Sequence, residues 1–407
     1  MAIVTPMTVL APAQEAERMV HKTHSIRADR RKYLARAFRS GDDRKLRKAL
    51  NSFFTDTQVK MSALHKAGER QPNIEGWHYA AKSLDPRTPF PEPVNWWPEP
   101  KARGGYRIVC DLPRPLKATH YMIADALYAQ MEIPPFIFDL RGRGRNKAVQ
   151  GLLKKLNAGF NSYRVFDVKD CFQNVNPEVI HKLPLPRRII ENALIIENLS
   201  LQRVAKQNAT EPGDILSDTP VIESIESGPA GLMQGSPASN VILAWLLREA
   251  PCPDSEDWLL FVYADDLIVV ARQDGILDRV EQMLVDFFEC PKLGPLPLRK
   301  KAAGTGGAFD YLGCEFRQCS ISGEWELDLS QKNWDKLARN RHAEVLKYKL
   351  ENPHGIYVDE EKSIRGMVAS FPLKEGRAAI RERALMIGPD WAEVERVRKA
   401  MRRQGRP

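Results

Sequence analysis

The sequence predicts an α+β protein with helical regions at both ends of the chain, and three observations support this prediction. Apolar runs rich in Val, Ile, Phe and Tyr, such as FVYADDLIVVAR at residues 261–272, have the composition of buried strands. Strand and helix patterns alternate with short turns between about residues 101 and 318. Before residue 85 and after residue 325 the patterns are helical.

The composition favours a polyanionic partner. The chain has 407 residues and a formal net charge of +9, and its calculated isoelectric point is about 9.2. Nucleic acid is the usual partner of such a protein, and an anionic membrane is the less usual one. The length fits two or three domains, or one enzyme with several lobes.

The N-terminal region, residues 1–85, is basic and helical. Residues 21–50 contain 11 Lys or Arg against 3 Asp. Such a run is explained equally well by a solvated helix face and by a nucleic-acid contact. The Pro-rich stretch SLDPRTPFPEPVNWWPEP at residues 83–100 then interrupts the helical pattern and predicts a domain boundary.

The cysteines and the N-terminus predict a cytoplasmic protein that does not associate with a membrane. The 6 cysteines are scattered, with neither a CxxC pair nor a His at zinc-binding spacing, so we expect reduced thiols and no structural zinc. The first residues lack the basic segment of a signal peptide, and no apolar run reaches membrane-spanning length.

Three carboxylates stand out because each lies in or at the end of an apolar strand pattern. Asp265 and Asp266 interrupt the run at 261–272, and Asp167 ends a similar run in YRVFDVKDCFQNV at residues 163–175. A buried carboxylate needs a partner, a proton or a metal ion. If the two strands are neighbours, the three acids can share two Mg²⁺ ions, an arrangement suited to phosphoryl transfer. The alternative is that each Asp merely caps a turn.

The YADD sequence at residues 263–266, inside an apolar hairpin, resembles the active-site signature of reverse transcriptases. Further segments between about residues 95 and 320 resemble the family in the same order. The resemblance implies a right-hand polymerase fold, with fingers, palm and thumb around an antiparallel palm sheet. It also implies RNA-directed DNA polymerase activity with two Mg²⁺ ions, or Mn²⁺ in their place. Asp167, Asp265 and Asp266 would then be both the catalytic residues and the metal ligands.

The same resemblance divides the chain into four consecutive segments. These would be a basic helical N-terminal extension (1–85), fingers (86–160), a palm (161–318) with fingers elements around 180–230, and a helical basic thumb (319–407).

The resemblance also implies a set of dNTP-binding residues. Lys101 and Arg107 flank a predicted hairpin turn and would hold the triphosphate. Phe172, five residues after Asp167, would exclude a 2′-hydroxyl and so select deoxynucleotides. The GLMQGSPASN segment at 231–240 would place Gly235 close to the template base or nucleotide, with a helix opening at its Ser-Pro. The remaining members of this predicted set are Asp170, Gln234 and Lys301.

Two further segments are predicted to contact nucleic acid. Arg141, Arg143 and Arg145 lie in a Gly-rich basic loop and would face a template backbone or a guide RNA, with salt-dependent and sequence-blind binding. Leu312 and Gly313, in FDYLGCEF, would form the turn of the hairpin that grips the primer.

The size and the basic helical ends resemble bacterial retron-like and defence-associated reverse transcriptases. We therefore expect an associated noncoding RNA as template or partner, dNTPs as substrates, DNA as product and a role in antiphage defence. Two alternatives stay open: a template-independent or protein-primed DNA polymerase on the same fold, and a non-catalytic RNA-binding scaffold. The sequence does not reveal the template, the priming group or the oligomeric state.

Overall fold

The chain forms two compact units, and each is assembled from three stretches of sequence. The computed structural model describes residues 12–68, 74–101, 105–204, 228–251, 257–351 and 362–388, together with residues 392 and 396. The first unit comprises residues 1–134, 168–250 and 285–298, and the second comprises residues 135–167, 251–284 and 299–407. The predicted division into N-terminal extension, fingers, palm and thumb stays a prediction.

The N-terminal half of the first unit is helical. Two aspartates set the helix boundaries: the side chains of Asp42 and Asp56 each accept hydrogen bonds from the backbone N–H groups two and three residues ahead, which caps the helix that follows. Phe53 and Phe54 are buried in the core. The helices are α1 (Pro12–Arg39), α2 (Asp43–Thr55), α3 (Thr57–Ala67), α4 (Ile74–Ser83) and α5 (Arg114–Ala129).

A buried ion pair joins α1 to α5. Arg27 Nε donates to Asp125 Oδ2 at 2.6 Å, and Arg27 Nη2 donates to the carbonyl oxygen of Tyr121 at 3.1 Å. The side chains of Arg27 and Asp125 are only 4% and 2% exposed. The basic helix α1 therefore packs into the first unit through the face that carries Arg27 and the buried Leu34. Its exposed charges lie on the opposite face.

A small sheet completes the first unit. The strands β1 (Val94–Pro100) and β2 (Tyr106–Asp111) form an antiparallel hairpin, and β4 (Leu201–Arg203) pairs with β1 in parallel. The remaining helices of this unit are α7 (Pro177–His181), α8 (Arg187–Ala193), a 3₁₀ turn (Ile196–Asn198) and α9 (Ser239–Leu247).

The second unit is built on a four-stranded sheet of order β5-β6-β3-β7. The pairs β5–β6 and β3–β6 are antiparallel. Residues of β3 and β6 are buried on both faces of the sheet, which explains their nearly uninterrupted apolar runs. The strands are β3 (Ser162–Val168), β5 (Trp258–Tyr263), β6 (Asp266–Ala271) and β7 (Leu298–Thr305).

Helices and a second sheet cover this framework. Aromatic side chains dominate the core: the ring centroids of Tyr163 and Phe309 are 4.2 Å apart, and Phe309 stacks on Phe316 at 5.1 Å. The three-stranded sheet has the order β10-β9-β8. Its strands are β8 (Ala308–Tyr311), β9 (Cys314–Gln318) and β10 (Trp325–Leu329). The helices are α6 (Arg145–Leu156) and α10 (Asp274–Phe288). The last residues of α10, from 285 onward, are assigned to the first unit.

The C-terminal helices pack around a separate apolar cluster. Trp334, Leu337, Ile364 and Phe371 are buried in it. The helices are α11 (Gln331–Glu351), α12 (Lys362–Ser370) and α13 (Arg377–Met386). None of the helices within the described ranges is both long enough and apolar enough to span a lipid bilayer. The predicted α+β class is confirmed, whereas the right-hand arrangement of fingers, palm and thumb stays a prediction.

Candidate active site

The three predicted catalytic acids lie on neighbouring strands of the second unit. In the antiparallel register Asp167, near the end of β3, is directly opposite Asp266, the first residue of β6. Asp266 also pairs with Tyr263, the last residue of β5, so that Ala264 and Asp265 form a two-residue hairpin turn. Paired residues of antiparallel strands have Cα atoms roughly 5 Å apart. Two stretches almost a hundred positions apart in sequence thus bring their carboxylates together.

Two basic side chains from β7 form ion pairs with two of these acids, Asp167 and Asp266. Arg299 donates from Nε and Nη2 to the two oxygens of Asp167, at 2.8 and 2.7 Å. Lys301 Nζ lies 2.6 Å from Asp266 Oδ1 and 3.6 Å from Asp167 Oδ2. Lys301 was predicted to bind dNTPs, and the structure places it in this carboxylate cluster.

The electrostatics differ between the acids. Burial disfavours the ionised form of Asp167, but the hydrogen bonds and charges of Arg299 and Lys301 outweigh this effect and lower its pKa. The pKa of Asp265 is raised, first by burial and then by the adjacent charge of Asp266. The negative charge of Asp265 is therefore less well compensated than that of Asp167.

Arg299 is the residue that the sequence interpretation missed. Side chains along β7 alternate between the two faces of the sheet, so Arg299 and Lys301 lie on the same face. Lys300 lies on the other face, where its Nζ is 2.6 Å from Glu281 Oε1. The two-residue period of the strand was the signal that could have identified it.

The donor set fits a divalent cation. Carboxylate oxygens are the ligands that Mg²⁺ prefers in proteins. Two side-chain cations face three carboxylates, which leaves a local shortage of positive charge. Within the described ranges, no three Asp, Glu, His or Cys side chains are arranged at metal-binding distances. Arg299 and Lys301 contact the oxygens of Asp167 and Asp266. Ion binding would thus require these two cations to move.

Some of the predicted dNTP-binding residues in the first unit form ion pairs, and others lie in loops. Lys101 Nζ lies 2.6 Å from Asp170 Oδ1, so two members of the predicted set contact each other. Arg107 Nε donates to Glu99 Oε2 at 2.7 Å across the β1–β2 hairpin. Phe172 is partly buried, and its carbonyl oxygen accepts a hydrogen bond from the N–H of Leu232 at 2.7 Å. Whether these residues bind a nucleotide stays a prediction.

The loop that contains Gln234 and Gly235 lies against β2. The N–H of Cys110 donates to the carbonyl oxygen of Gln234 at 2.7 Å. Gly235 has a φ of +107°, and a Cβ built there would lie 2.2 Å from the carbonyl oxygen of Cys110. The close contact seen here is with the protein's own backbone, and the predicted approach of a template base or nucleotide to this glycine stays a prediction.

Replacing Gly235 should destabilise this loop. We expect Gly235→Ala to lower the free energy of unfolding by more than about 2 kcal/mol, because both the left-handed φ and the Cys110 carbonyl oppose a side chain. Thermal unfolding of the variant would measure this cost. Gly307→Ala is the matched control, since its φ is +77° but nothing lies within 4 Å of its Cβ. Equal midpoints for the two variants would contradict the steric explanation.

A buried histidine holds the same loop. His120 Nε2 lies 2.7 Å from the carbonyl oxygen of Ala193, and its Nδ1 lies 2.5 Å from Ser236 Oγ. A neutral ring that donates from Nε2 and accepts at Nδ1 satisfies both partners. Ser236 Oγ also accepts from the N–H of Ala238 at 3.0 Å. The helix α9 begins at Ser239, three residues after Ser236 of the predicted Ser-Pro start.

This histidine should make stability depend on pH. Burial lowers the pKa of His120 to about 4. The hydrogen bond with the carbonyl oxygen of Ala193 favours the charged form, but its effect on the pKa is smaller than that of burial. Since the unfolded chain takes up this proton near pH 6.5, stability is lost as pH falls from about 6.5 to 4, by about 2 kcal/mol at pH 5. The difference in urea midpoint between pH 7 and pH 5 should be smaller in His120→Gln than in the parent. An unchanged difference would exclude His120 as the titrating group.

The arginines predicted to bind RNA and the turn predicted to grip the primer belong to the second unit. Leu312 and Gly313 form the β8–β9 turn with φ values of 49° and 74°, as the sequence predicted. Arg145 Nε donates to the carbonyl oxygen of Leu312 at 2.6 Å, which fixes this turn to α6. Arg143 Nη1 donates to the carbonyl oxygen of Ile137 at 2.6 Å. Arg141 is exposed. Arg143 and Arg145 thus have structural contacts, and RNA binding by all three stays a prediction.

No protein-family model matches the chain, and no curated protein matches it. Among solved structures, telomerase from Candida albicans in complex with the TWJ fragment of telomeric RNA matches 80% of this chain at 13% identity, with a TM-score of 0.36. Apo telomerase from Candida tropicalis matches 75% of this chain at 14% identity, with a TM-score of 0.37. This chain covers 59% and 56% of those two chains. Similarity at this level does not place the chain in a family.

Proposed function

We propose that the protein is a reverse transcriptase, an RNA-directed DNA polymerase that joins dNTPs to a primer. The observation that carries this proposal is the pairing of Asp167 with Asp266 on adjacent antiparallel strands, with Asp265 in the turn between β5 and β6. The order of the surrounding motifs in the sequence supports it further. So does the net charge of +9, which suits a nucleic-acid partner.

The carboxylates would act by holding divalent cations. Asp167, Asp265 and Asp266 would be the ligands of two Mg²⁺ ions, or of Mn²⁺ in their place. When bound, the ions would supply the positive charge that activates the attacking hydroxyl and stabilises the leaving pyrophosphate. Lys301, which contacts Asp266, is the candidate to protonate that leaving group. Arg299 balances the charge of Asp167 and competes for its oxygens.

The competition by Arg299 can be measured without any substrate. We expect Arg299→Gln to tighten Mn²⁺ binding by about threefold to tenfold, because a positive charge next to the ion site is removed. The partial exposure of Arg299, 58%, keeps this effect modest. Electron paramagnetic resonance titration of Mn²⁺ gives the dissociation constant. Arg317→Gln, which removes an exposed partner of Glu315, is the control. Weaker binding by Arg299→Gln would contradict this role.

DNA synthesis is tested directly with the purified protein and the RNA that copurifies with it. We expect incubation with Mg²⁺ and labelled dNTPs to give a product that DNase degrades, and Asp265→Asn to give none. Sequencing the product separates the alternatives. A complement of the bound RNA supports reverse transcription, and a random or homopolymeric product supports template-independent synthesis. No product from the parent protein would favour the RNA-binding scaffold.

The biological context is a finer proposal that rests on the resemblance in sequence alone. We place the protein among bacterial defence-associated or retron-like enzymes that use a noncoding RNA. Plating a broad phage panel on cells with the intact gene and with an Asp265→Asn allele would test this. Fewer plaques with the intact gene are expected, and equal plating on both strains would reject a defence role.

A further inference from the structure

A fourth carboxyl group, Asp139, lies beside the catalytic hairpin and is explained by none of the motifs. The segment before it runs alongside the end of β5. The N–H of Val262 donates to the carbonyl oxygen of Phe136 at 2.8 Å. The N–H of Phe138 donates to the carbonyl oxygen of Val262 at 2.9 Å. Ile137 forms a parallel bridge with Val262. This pairing brings the next residue, Asp139, to the turn that follows β5.

Asp139 contacts the turn itself. Hydrogen bonding from two backbone N–H groups, that of Asp139 itself and that of Ala264, the residue before Asp265, opposes the rise in the pKa of the Asp139 carboxyl group. Ala264 has a φ of 53°, a left-handed conformation that costs a residue with a side chain on the order of 1 kcal/mol or more. A hydrogen bond to its N–H therefore acts where the hairpin is least stable by itself.

The environment of Asp139 is costly for a carboxyl group. Its Oδ2 is buried and has no hydrogen-bonding partner among the residues that the structure describes. Burial raises the pKa of Asp139 to about 6, and the charge of Asp265 adds to this effect. Buried polar groups without partners are rare in folded proteins and call for an explanation. Packing alone would be served better by a leucine of similar volume.

We propose that Asp139 is a positioning residue, which fixes the Ala264–Asp265 turn through the N–H of Ala264 and thereby aims the carboxylate of Asp265. The proposal deepens the proposed function and depends on it for its effect on catalysis. The contact itself, between Asp139 and the hairpin, is independent of that function. A displacement of about 1 Å at a catalytic group can cost on the order of a hundredfold in rate.

The catalytic test compares three substitutions. Asp139→Asn keeps an oxygen that accepts from Ala264, so its kcat should stay within about threefold of the parent. Asp139→Ala and Asp139→Leu remove the acceptor and should lower kcat by about tenfold to a hundredfold, with the KM for dNTP within about twofold. The leucine variant avoids a cavity, so it keeps the test valid if the alanine variant does not fold. Asp335→Ala, at an exposed acid of the same unit, is the control.

The structural test needs no enzymatic activity. Hydrogen exchange of a peptide covering residues 261–267 should be at least about tenfold faster in Asp139→Leu than in Asp139→Asn, because the turn opens more often without its acceptor. Equal exchange, or equal kcat in these two variants, would overturn the proposal. If Asp265→Asn is as active as the parent while exchange responds as expected, the proposed function fails and the positioning contact stands.

Discussion

Asp265→Asn is expected to lower the rate of dNTP incorporation by at least about a thousandfold, equivalent to about 4 kcal/mol of transition-state stabilisation. The substitution keeps the shape of the side chain but removes its charge and weakens it as a ligand for a hard cation. Burial and the neighbouring Asp266 raise the pKa of Asp265, so its negative charge is unfavourable to the fold. The rate is measured by single-turnover incorporation of a labelled dNTP.

Stability provides the control for this prediction. Because the amide relieves the repulsion between Asp265 and Asp266, the thermal midpoint of Asp265→Asn should equal or exceed that of the parent. Asp335→Asn, an exposed acid in α11, should change neither rate nor midpoint. A variant of Asp265 that keeps more than about a tenth of the parent rate would show that this carboxylate does not take part in nucleotide transfer.

Asp125→Ala is expected to lower the free energy of unfolding of the first unit by about 3–5 kcal/mol. The substitution leaves the guanidinium of Arg27, whose side chain is 4% exposed, without the carboxylate that balances it. Since α1 is held to α5 through this pair, the loss should appear first as separation of the N-terminal helix. Urea unfolding followed by circular dichroism measures the loss, and hydrogen exchange over residues 18–39 locates it.

Two further variants test whether the stability lost in Asp125→Ala comes from breaking a buried ion pair or from removing any charged side chain. Asp29→Ala breaks an ion pair with Lys32, in which the Asp29 side chain is 68% exposed and the Lys32 side chain 74% exposed. This substitution should change the free energy of unfolding by less than about 0.5 kcal/mol. The double variant Arg27→Leu/Asp125→Leu should recover much of the loss, because it buries no unpaired charge. A loss in Asp29→Ala as large as in Asp125→Ala would contradict this explanation.

Much of the candidate site could be predicted from local patterns. Apolar strands that end in acids were recognisable at Asp167 and Asp265, because a buried carboxylate is costly unless something balances it. Antiparallel pairing then brought these strand ends together. The Leu312–Gly313 turn was predicted from the resemblance of FDYLGCEF to a family hairpin, and both residues have the positive φ that such a turn requires.

Other features depend on contacts between residues that are distant in sequence. Nothing near Arg299 or Asp167 indicates that they form a two-point ion pair across 132 positions. Gly235 was recognised, but its neighbour, the Cys110 carbonyl, could be identified only from coordinates. No sequence pattern singles out Asp139, because its position beside Ala264 depends on the pairing of Ile137 with Val262.

The shared use of the carboxylates from β3 and the β5–β6 hairpin is tested most directly by ion binding. Titration of the substrate-free protein with Mn²⁺, followed by electron paramagnetic resonance, should show about two bound ions per chain. Asp167→Asn and Asp265→Asn should each weaken the binding by at least about tenfold, although Asp167 lies in β3 and Asp265 in the turn between β5 and β6. Mn²⁺ binding that is the same in the parent and in both variants would contradict a common metal site.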